Sequence, residues 1–419
     1  MTSGTQAASA AQLVDEARRA AAAGSNDRAI ALLQSALDSA PDDPTILNML
    51  ANRLLAEGDA DTARAHLQRA IAGDPAAPAL WLNLAAAERQ RDDAAGEEEA
   101  LDRALAIEPY LLPALLQKGE LYERQERSAD CLRAYSAVVT IAGQLGDIPP
   151  GLQPRIDHAR QMVGSLRAKL GDQLRSAADK VGRKSARFDH FVDTIAGRSR
   201  VYSSQPTRTF FPGLPAVAFF DREQFPWFDE LESATDAIRR ELLQVMAAGT
   251  GMRPYVDIAA GDPVNQWDKL NRSLDWSAFF LWENGEPNAD NCAACPETAA
   301  LIERLPLLDI PGHAPTAMFS ILKPGAHIPP HTGETNVRSV VHLGLVVPPD
   351  CAFRVGHDRR EWVEGQAWGF DDTIEHEAWN GSGQARAILI LDIWNPYLTA
   401  DERALLRVAE QVMKSPDAL

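Results

Sequence analysis

Three prolines, Pro41, Pro75 and Pro109, stand 34 residues apart, and Ala36, Ala70 and Ala104 keep the same interval. A fixed period of this length excludes a single conventional core for this stretch, because each unit must bury its apolar face against its neighbours. The unit reads Ser35-Ala36-Leu37-Asp38-Ser39-Ala40-Pro41, then Arg69-Ala70-Ile71-Ala72-Gly73-Asp74-Pro75, then Arg103-Ala104-Leu105-Ala106-Ile107-Glu108-Pro109. Small residues allow helices to cross closely, and proline follows a helix that it cannot continue. Counted back from each proline, Leu50, Ala51, Ala63, Leu67 and Ala70 pack the second unit; Trp81, Leu84, Ala85, Leu101 and Ala104 pack the third. A fourth unit carries Gly119, Tyr122 and Tyr135, with Val138 where alanine is usual. The first is the weakest, since Glu16 falls on an apolar position.

This pattern resembles the tetratricopeptide repeat. The resemblance implies an all-α solenoid of paired helices over residues 8–142, whose concave face suits a peptide or a partner protein. Residues 143–207 read as a helical linker, from Pro149-Pro150-Gly151 through a charged stretch, Ile156 to Val181, to Ser203-Ser204-Gln205-Pro206. The charges there, Arg155, Asp157, Arg160 and Arg167 among them, read as a solvated helix face.

At 419 residues the chain has room for two domains, and its 45% hydrophobic and 24% charged composition is that of folded globular protein. A net charge of −18 argues against nucleic acid and anionic membrane as partners, because the phosphate term is repulsive. Four scattered cysteines, Cys131, Cys292, Cys295 and Cys351, make no disulfide framework, and no run is apolar enough for a signal peptide or a membrane span. A cytoplasmic protein with no membrane insertion is expected.

From Phe210 onward, short apolar runs are bounded by turn residues. Ala317 to Lys323, Val337 to Val347 and Arg386 to Trp394 alternate as strands do, with Trp362 to Phe370 a fourth. In the second run Arg338, Val340, His342, Gly344 and Val346 share one face, while Ser339, Val341, Leu343, Leu345 and Val347 share the other. A barrel or sandwich whose inner face holds a ligand accounts for that division.

Six of the nine histidines lie between His313 and His376. His331 and His376 each end or follow a strand-like run in a turn-rich context, and Arg386 follows ten residues later. Two imidazoles and a downstream guanidinium are what a mononuclear iron centre fed by a dicarboxylate requires. A bare pair of histidines is more often a satisfied core or surface pair.

The linked motifs Phe319-Ser320-Ile321-Leu322, Pro330-His331-Thr332-Gly333-Glu334-Thr335-Asn336, His342-Leu343-Gly344-Leu345, Phe370-Asp371-Asp372 and Asp392-Ile393-Trp394-Asn395-Pro396 resemble the aspartyl/asparaginyl β-hydroxylase family over roughly residues 208 to 400. Animal members also place tetratricopeptide-like helices before the catalytic domain. The resemblance implies a double-stranded β-helix (a jelly-roll, cupin-like domain) over 208–419, holding Fe(II), 2-oxoglutarate and O₂. His331 and His376 would bind the metal, Gly333 standing where many relatives of the fold carry a third, acidic ligand. Arg386 would clamp the distal carboxylate of 2-oxoglutarate with Ser320, and His342 would meet the other carboxylate. Arg338 either adds charge there or faces the prime substrate; Val340 stands where animal members carry a second arginine.

The implied activity is hydroxylation of a protein or peptide at the β-carbon of Asp or Asn. Two rivals remain: the same chemistry on a lipid acyl chain, as some bacterial relatives perform, and a repeat scaffold whose β-domain binds a ligand without turnover. Asp371 and Asp372 read as turn residues rather than ligands. Cys292-Ala293-Ala294-Cys295 reads as a loop element, lacking the second pair that structural zinc needs. Trp267, Trp276 and Trp282 read as core.

Overall fold

Proline and small side chains set the geometry of the N-terminal half. In the computed structural model, which describes residues 9–183 and 185–414, the repeat forms four helical hairpins. They are α1 (Ala10–Ala22) with α2 (Asn26–Ser39), α3 (Pro44–Glu57) with α4 (Ala60–Gly73), α5 (Pro78–Gln90) with α6 (Ala94–Ile107), and α7 (Leu112–Arg124) with α8 (Ser128–Gln144). Pro41, Pro75 and Pro109 each lie two residues past a helix end, and Pro44, Pro78 and Pro113 sit in first turns, where a missing N–H costs nothing. Asp43, Asp59 and Asp93 cap three helices by accepting backbone N–H groups. Ala36, Ala70 and Ala104 are completely buried. At Gly119 a Cβ would lie 2.3 Å from the Tyr135 ring, so glycine alone permits this crossing of α7 over α8. Residue 8, the expected start of the array, lies outside the described residues; Ser9 forms a capping box with Gln12.

The stretch read as a linker is not uniform. α9 (Gln153–Val181) is 29 residues long, and Ile156, Ala159 and Val163 complete the solenoid core, so its charges cover one face only. α10 (Ala186–Ile195) packs on α9, with Arg175 and Arg198 both pairing with Asp193. The chain divides into two units between Ser199 and Arg200. The boundary falls before 207 because residues 200–207 bond to the second unit: the N–H groups of Gln205 and Thr207 donate to the carbonyls of Thr373 and Gly333 at 2.7 and 2.9 Å.

The second unit begins with α11 (Phe228–Ser233) and α12 (Thr235–Ala248), followed by β1 (Arg253–Pro254), β2 (Trp276–Glu283), β3 (Glu286–Pro287), α13 (Ala289–Ala294) and α14 (Pro296–Ile302). Then come β4 (Ala317–Leu322), β5 (His327–His331), β6 (Arg338–Val346), β7 (Cys351–Val355), β8 (Asp358–Arg360), β9 (Ala367–Phe370), β10 (His376–Asn380), β11 (Arg386–Trp394) and α15 (Ala400–Lys414). One sheet runs β1-β2-β4-β11-β6-β9, with β3 on β2; the other runs β5-β10-β7-β8. The named strand pairs are antiparallel. From β4 onward the chain passes back and forth between the sheets, which is compatible with the expected double-stranded β-helix.

The fourth expected strand is shorter than its alternation implied. Only Ala367–Phe370 pairs as a strand, because Gly365 takes a left-handed φ of 77° and turns the chain just before it.

Burial on both sides of the larger sheet explains its sequence. Val341, Leu343, Leu345, Phe319, Ile321, Leu389 and Leu391 pack against Leu231, Ile238, Leu242 and Ile302 of the flanking helices. The opposite face, with Val340, Trp368, Phe370 and Ile388, joins Ile328, Phe353, Val355 and Ala378 of the smaller sheet in a second core. This inner face is the one that carries Arg338, His342, Ser320 and Arg386.

Candidate active site

Between the two sheets lies a cavity of about 730 Å³, lined by all six residues singled out in the sequence: Ser320, His331, Arg338, His342, His376 and Arg386. Strand register brings them together. His376 opens β10 directly across from His331, which closes β5. Their rings are 4.0 Å apart between centroids.

Each imidazole has one nitrogen committed. His331 Nδ1–H donates to the Pro329 carbonyl at 2.8 Å, and His376 Nδ1–H to the Ile374 carbonyl at 3.0 Å. A carbonyl only accepts, so Nδ1 carries the proton and Nε2 presents a lone pair, the tautomer that a metal ligand needs. Burial lowers the pKa of His331 below the ordinary imidazole value; His376 is lowered further by burial and then by His331. Both are therefore neutral near pH 7. Among the described residues no group of three or more His, Cys, Asp or Glu side chains forms a metal cluster.

Gly333 follows His331 by two positions, and its place is taken. A Cβ there would sit 2.1 Å from Asp372 Oδ2. Asp372 pairs with Arg338 Nη2 at 2.8 Å, and Arg338 Nη1 lies 3.9 Å from Asp392. Arg338 is therefore paired with a carboxylate of the protein itself. Asp372 Oδ1 and Arg338 Nε are buried without hydrogen-bond partners, and burial raises the Asp372 pKa despite Arg338. Asp371 is a turn residue, its Oδ1 accepting from the Thr373 N–H at 2.9 Å and from the Thr373 hydroxyl.

At the other end of the cavity Arg386 is 1% exposed, and its Nε and Nη1 have no acceptor. No described carboxylate lies within ion-pair distance; burial pushes its pKa down to about 10, which leaves it cationic near neutrality. Ser320 lies on the neighbouring strand, where its Oγ accepts from Trp276 Nε1–H at 3.1 Å and keeps its own proton to donate. His342 is held neutral by burial and then by Arg386. Such a floor, with an unpaired guanidinium and neutral donors, has the chemistry to accept a carboxylate.

Two family models match parts of the chain. The family model described as aspartyl/asparaginyl beta-hydroxylase matches residues 232–396, and a tetratricopeptide repeat model matches residues 45–87. Most of the second unit therefore matches the aspartyl/asparaginyl β-hydroxylase family model. Over 178 residues this chain is 38% identical to the aspartyl/asparaginyl beta-hydroxylase of Mus musculus, covering 42% of this chain and 22% of that protein. It is 37% identical over 187 residues to the ornithine lipid ester-linked acyl 2-hydroxylase of Rhizobium tropici, covering 44% of this chain and 62% of that protein. Aspartate beta-hydroxylase domain-containing protein 2 of Homo sapiens is 30% identical over 213 residues, covering 50% and 55%. The match thus spans about a fifth of the mouse protein and somewhat over half of the other two.

The second unit also holds side chains that sequence reasoning assigned elsewhere. Trp267 and Trp276 line the cavity instead of only filling core, Trp267 with its ring 4.9 Å from that of His331. Trp282 does belong to the core on the helix side. Trp362, expected to open a strand, lies beneath the cavity against Arg386 and His342. Gly365 was the available signal that the alternation breaks there. The four cysteines are free thiols, and burial raises the pKa of both Cys292 and Cys295.

Proposed function

We propose that this chain is a 2-oxoglutarate- and Fe(II)-dependent dioxygenase that hydroxylates a protein or peptide at the β-carbon of Asp or Asn. One observation carries the reading: the same cavity holds two neutral imidazoles with free Nε2 atoms and a buried, unpaired Arg386. Iron bound by His331 and His376, with O₂ and 2-oxoglutarate, supplies the oxidising chemistry that no side chain possesses.

The chain's own residues bind, orient and exclude water. Arg386 and Ser320 take the distal carboxylate of the acid, and the charge-assisted bond is worth about 1.5 to 3 kcal/mol. His342 donates to the metal-proximal carboxylate. Trp267 packs beside His331 and shields it from bulk water. Arg338, restrained by Asp372, faces the cavity as a donor toward the prime substrate. The repeat array would present the protein partner.

A second reading, hydroxylation of a lipid acyl chain, is favoured by the likeness to the Rhizobium tropici enzyme. Mass spectrometry distinguishes the two. With Fe(II), 2-oxoglutarate and air, a library of Asp- and Asn-containing peptides is expected to yield members that gain one oxygen atom on those residues. Oxygen gain only on ornithine-lipid acyl chains would replace the peptide reading, and acid binding without any turnover would leave a non-catalytic scaffold.

A further inference from the structure

Arg386 and His342 come from different strands and make no described hydrogen bond to each other, yet both touch Trp362. The Arg386 guanidinium lies 4.6 Å from the centroid of the Trp362 ring. The Trp362 Nε1–H donates to His342 Nδ1 at 3.4 Å, the one hydrogen bond of the His342 ring among the described residues. The other rings against His342 are those of Phe353, Trp368 and Phe370, at 4.9 to 5.1 Å. Trp362 is itself fixed, 4% exposed and packed on Phe353 and Trp368 at 5.5 and 5.8 Å.

We propose that Trp362 is a positioning residue for the dicarboxylate, holding Arg386 by its ring face and His342 by its N–H. The inference rests on the 2-oxoglutarate reading given above. A buried guanidinium that awaits a ligand poses a specific problem. A carboxylate partner would orient it but would consume its donors and cancel its charge. An aromatic face attracts the cation without consuming any of its N–H donors. The indole nitrogen solves the matching problem at His342. Indole only donates, so His342 Nδ1 must be the unprotonated nitrogen and Nε2–H must be the donor directed at a ligand. Without that bond the imidazole can adopt the opposite tautomer, which offers a lone pair to a carboxylate and repels it.

The test is calorimetric binding of 2-oxoglutarate to the full chain loaded with Mn(II), which needs no turnover. Trp362→Phe keeps a ring beneath Arg386 but removes the N–H, and is expected to weaken binding about three- to tenfold. Trp362→Leu removes both, and is expected to weaken it about thirtyfold. His342→Gln donates through its amide whatever the tautomer, so adding Trp362→Phe to it should cost little more. Thermal melting verifies folding, and if Trp362→Leu fails to fold, the Phe variant and its double-mutant cycle decide. Additive losses in that cycle, or binding within about twofold of wild type in both Trp362 variants, would overturn the proposal while leaving the dioxygenase reading intact. A wild type that binds no 2-oxoglutarate would remove both.

Discussion

Gly333 is where the site departs from the three-ligand pattern of the wider fold, and Asp372 is the physical reason. Because a Cβ at 333 would meet Asp372 Oδ2 at 2.1 Å, Gly333→Asp forces two carboxylates together in a buried space instead of adding a ligand. It is expected to cost about 2 to 4 kcal/mol, read from the urea midpoint, and the added change Asp372→Ala should recover most of that loss. A single variant as stable as wild type would contradict this packing. Asp371 gives a pH prediction. Burial pushes it up to about 6, with the Thr373 bonds offsetting only part of the effect. Its folded pKa exceeds the unfolded value of about 4, so its contribution is fully present below about pH 4 and is lost as pH rises to about 6, at most about 3 kcal/mol. Asp371→Asn carries no charge, and relative to wild type it should gain stability between about pH 4 and 6 and then level off. Urea titrations of both proteins across that window check the sign. Of the cavity residues, His331, His376 and Arg386 could be picked out as candidates because metal and carboxylate chemistry restricts residue type, and the fold brings them into one cavity. Asp372 and Trp362 were not, since their roles arise from neighbours 34 or 24 positions away, Arg338 and Arg386, that only the fold supplies.

Among elements, legibility followed burial. β4, β6 and β11 announced themselves by alternation, their two faces meeting different surroundings, one a cavity and the other a helical layer. β5 did not, because Pro329 and Pro330 argue against a strand; it is an edge strand paired only with β10, where missing N–H donors are tolerated. β7, β8 and β10 span five, three and five residues, too short for a period to show. The helices were clearer, as a repeat supplies the same signal several times. At the α7–α8 crossing, Gly119→Ala drives a methyl into Tyr135, whose hydroxyl is held by Glu123 at 2.8 Å. The helix-propensity gain of about 1 kcal/mol is outweighed by overpacking, for a net loss of about 1 to 2 kcal/mol in a melt of the repeat unit. Stabilisation by this change would show that the crossing is looser than described.

Across the molecule, two units are joined at Ser199 and Arg200, and no helix among the described residues is long and apolar enough to cross a membrane. The period of 34 and the clustered histidines made both units readable; the boundary between them was not, because α9 is charged on one face and core on the other. If the array presents the substrate, a protein lacking residues 1–199 should turn over 2-oxoglutarate alone within about twofold of the full chain, yet show a KM for a protein substrate raised about tenfold or more. Equal KM values would assign recognition to the β unit. The central claim is tested most directly by succinate formation from 2-oxoglutarate with the Fe(II)-loaded chain in air, comparing wild type with His376→Ala and Arg386→Ala. Turnover abolished by the histidine change, with 2-oxoglutarate affinity at least about tenfold weaker after the arginine change, is the predicted result. No turnover and no binding in the wild type, or turnover indifferent to both substitutions, would contradict it.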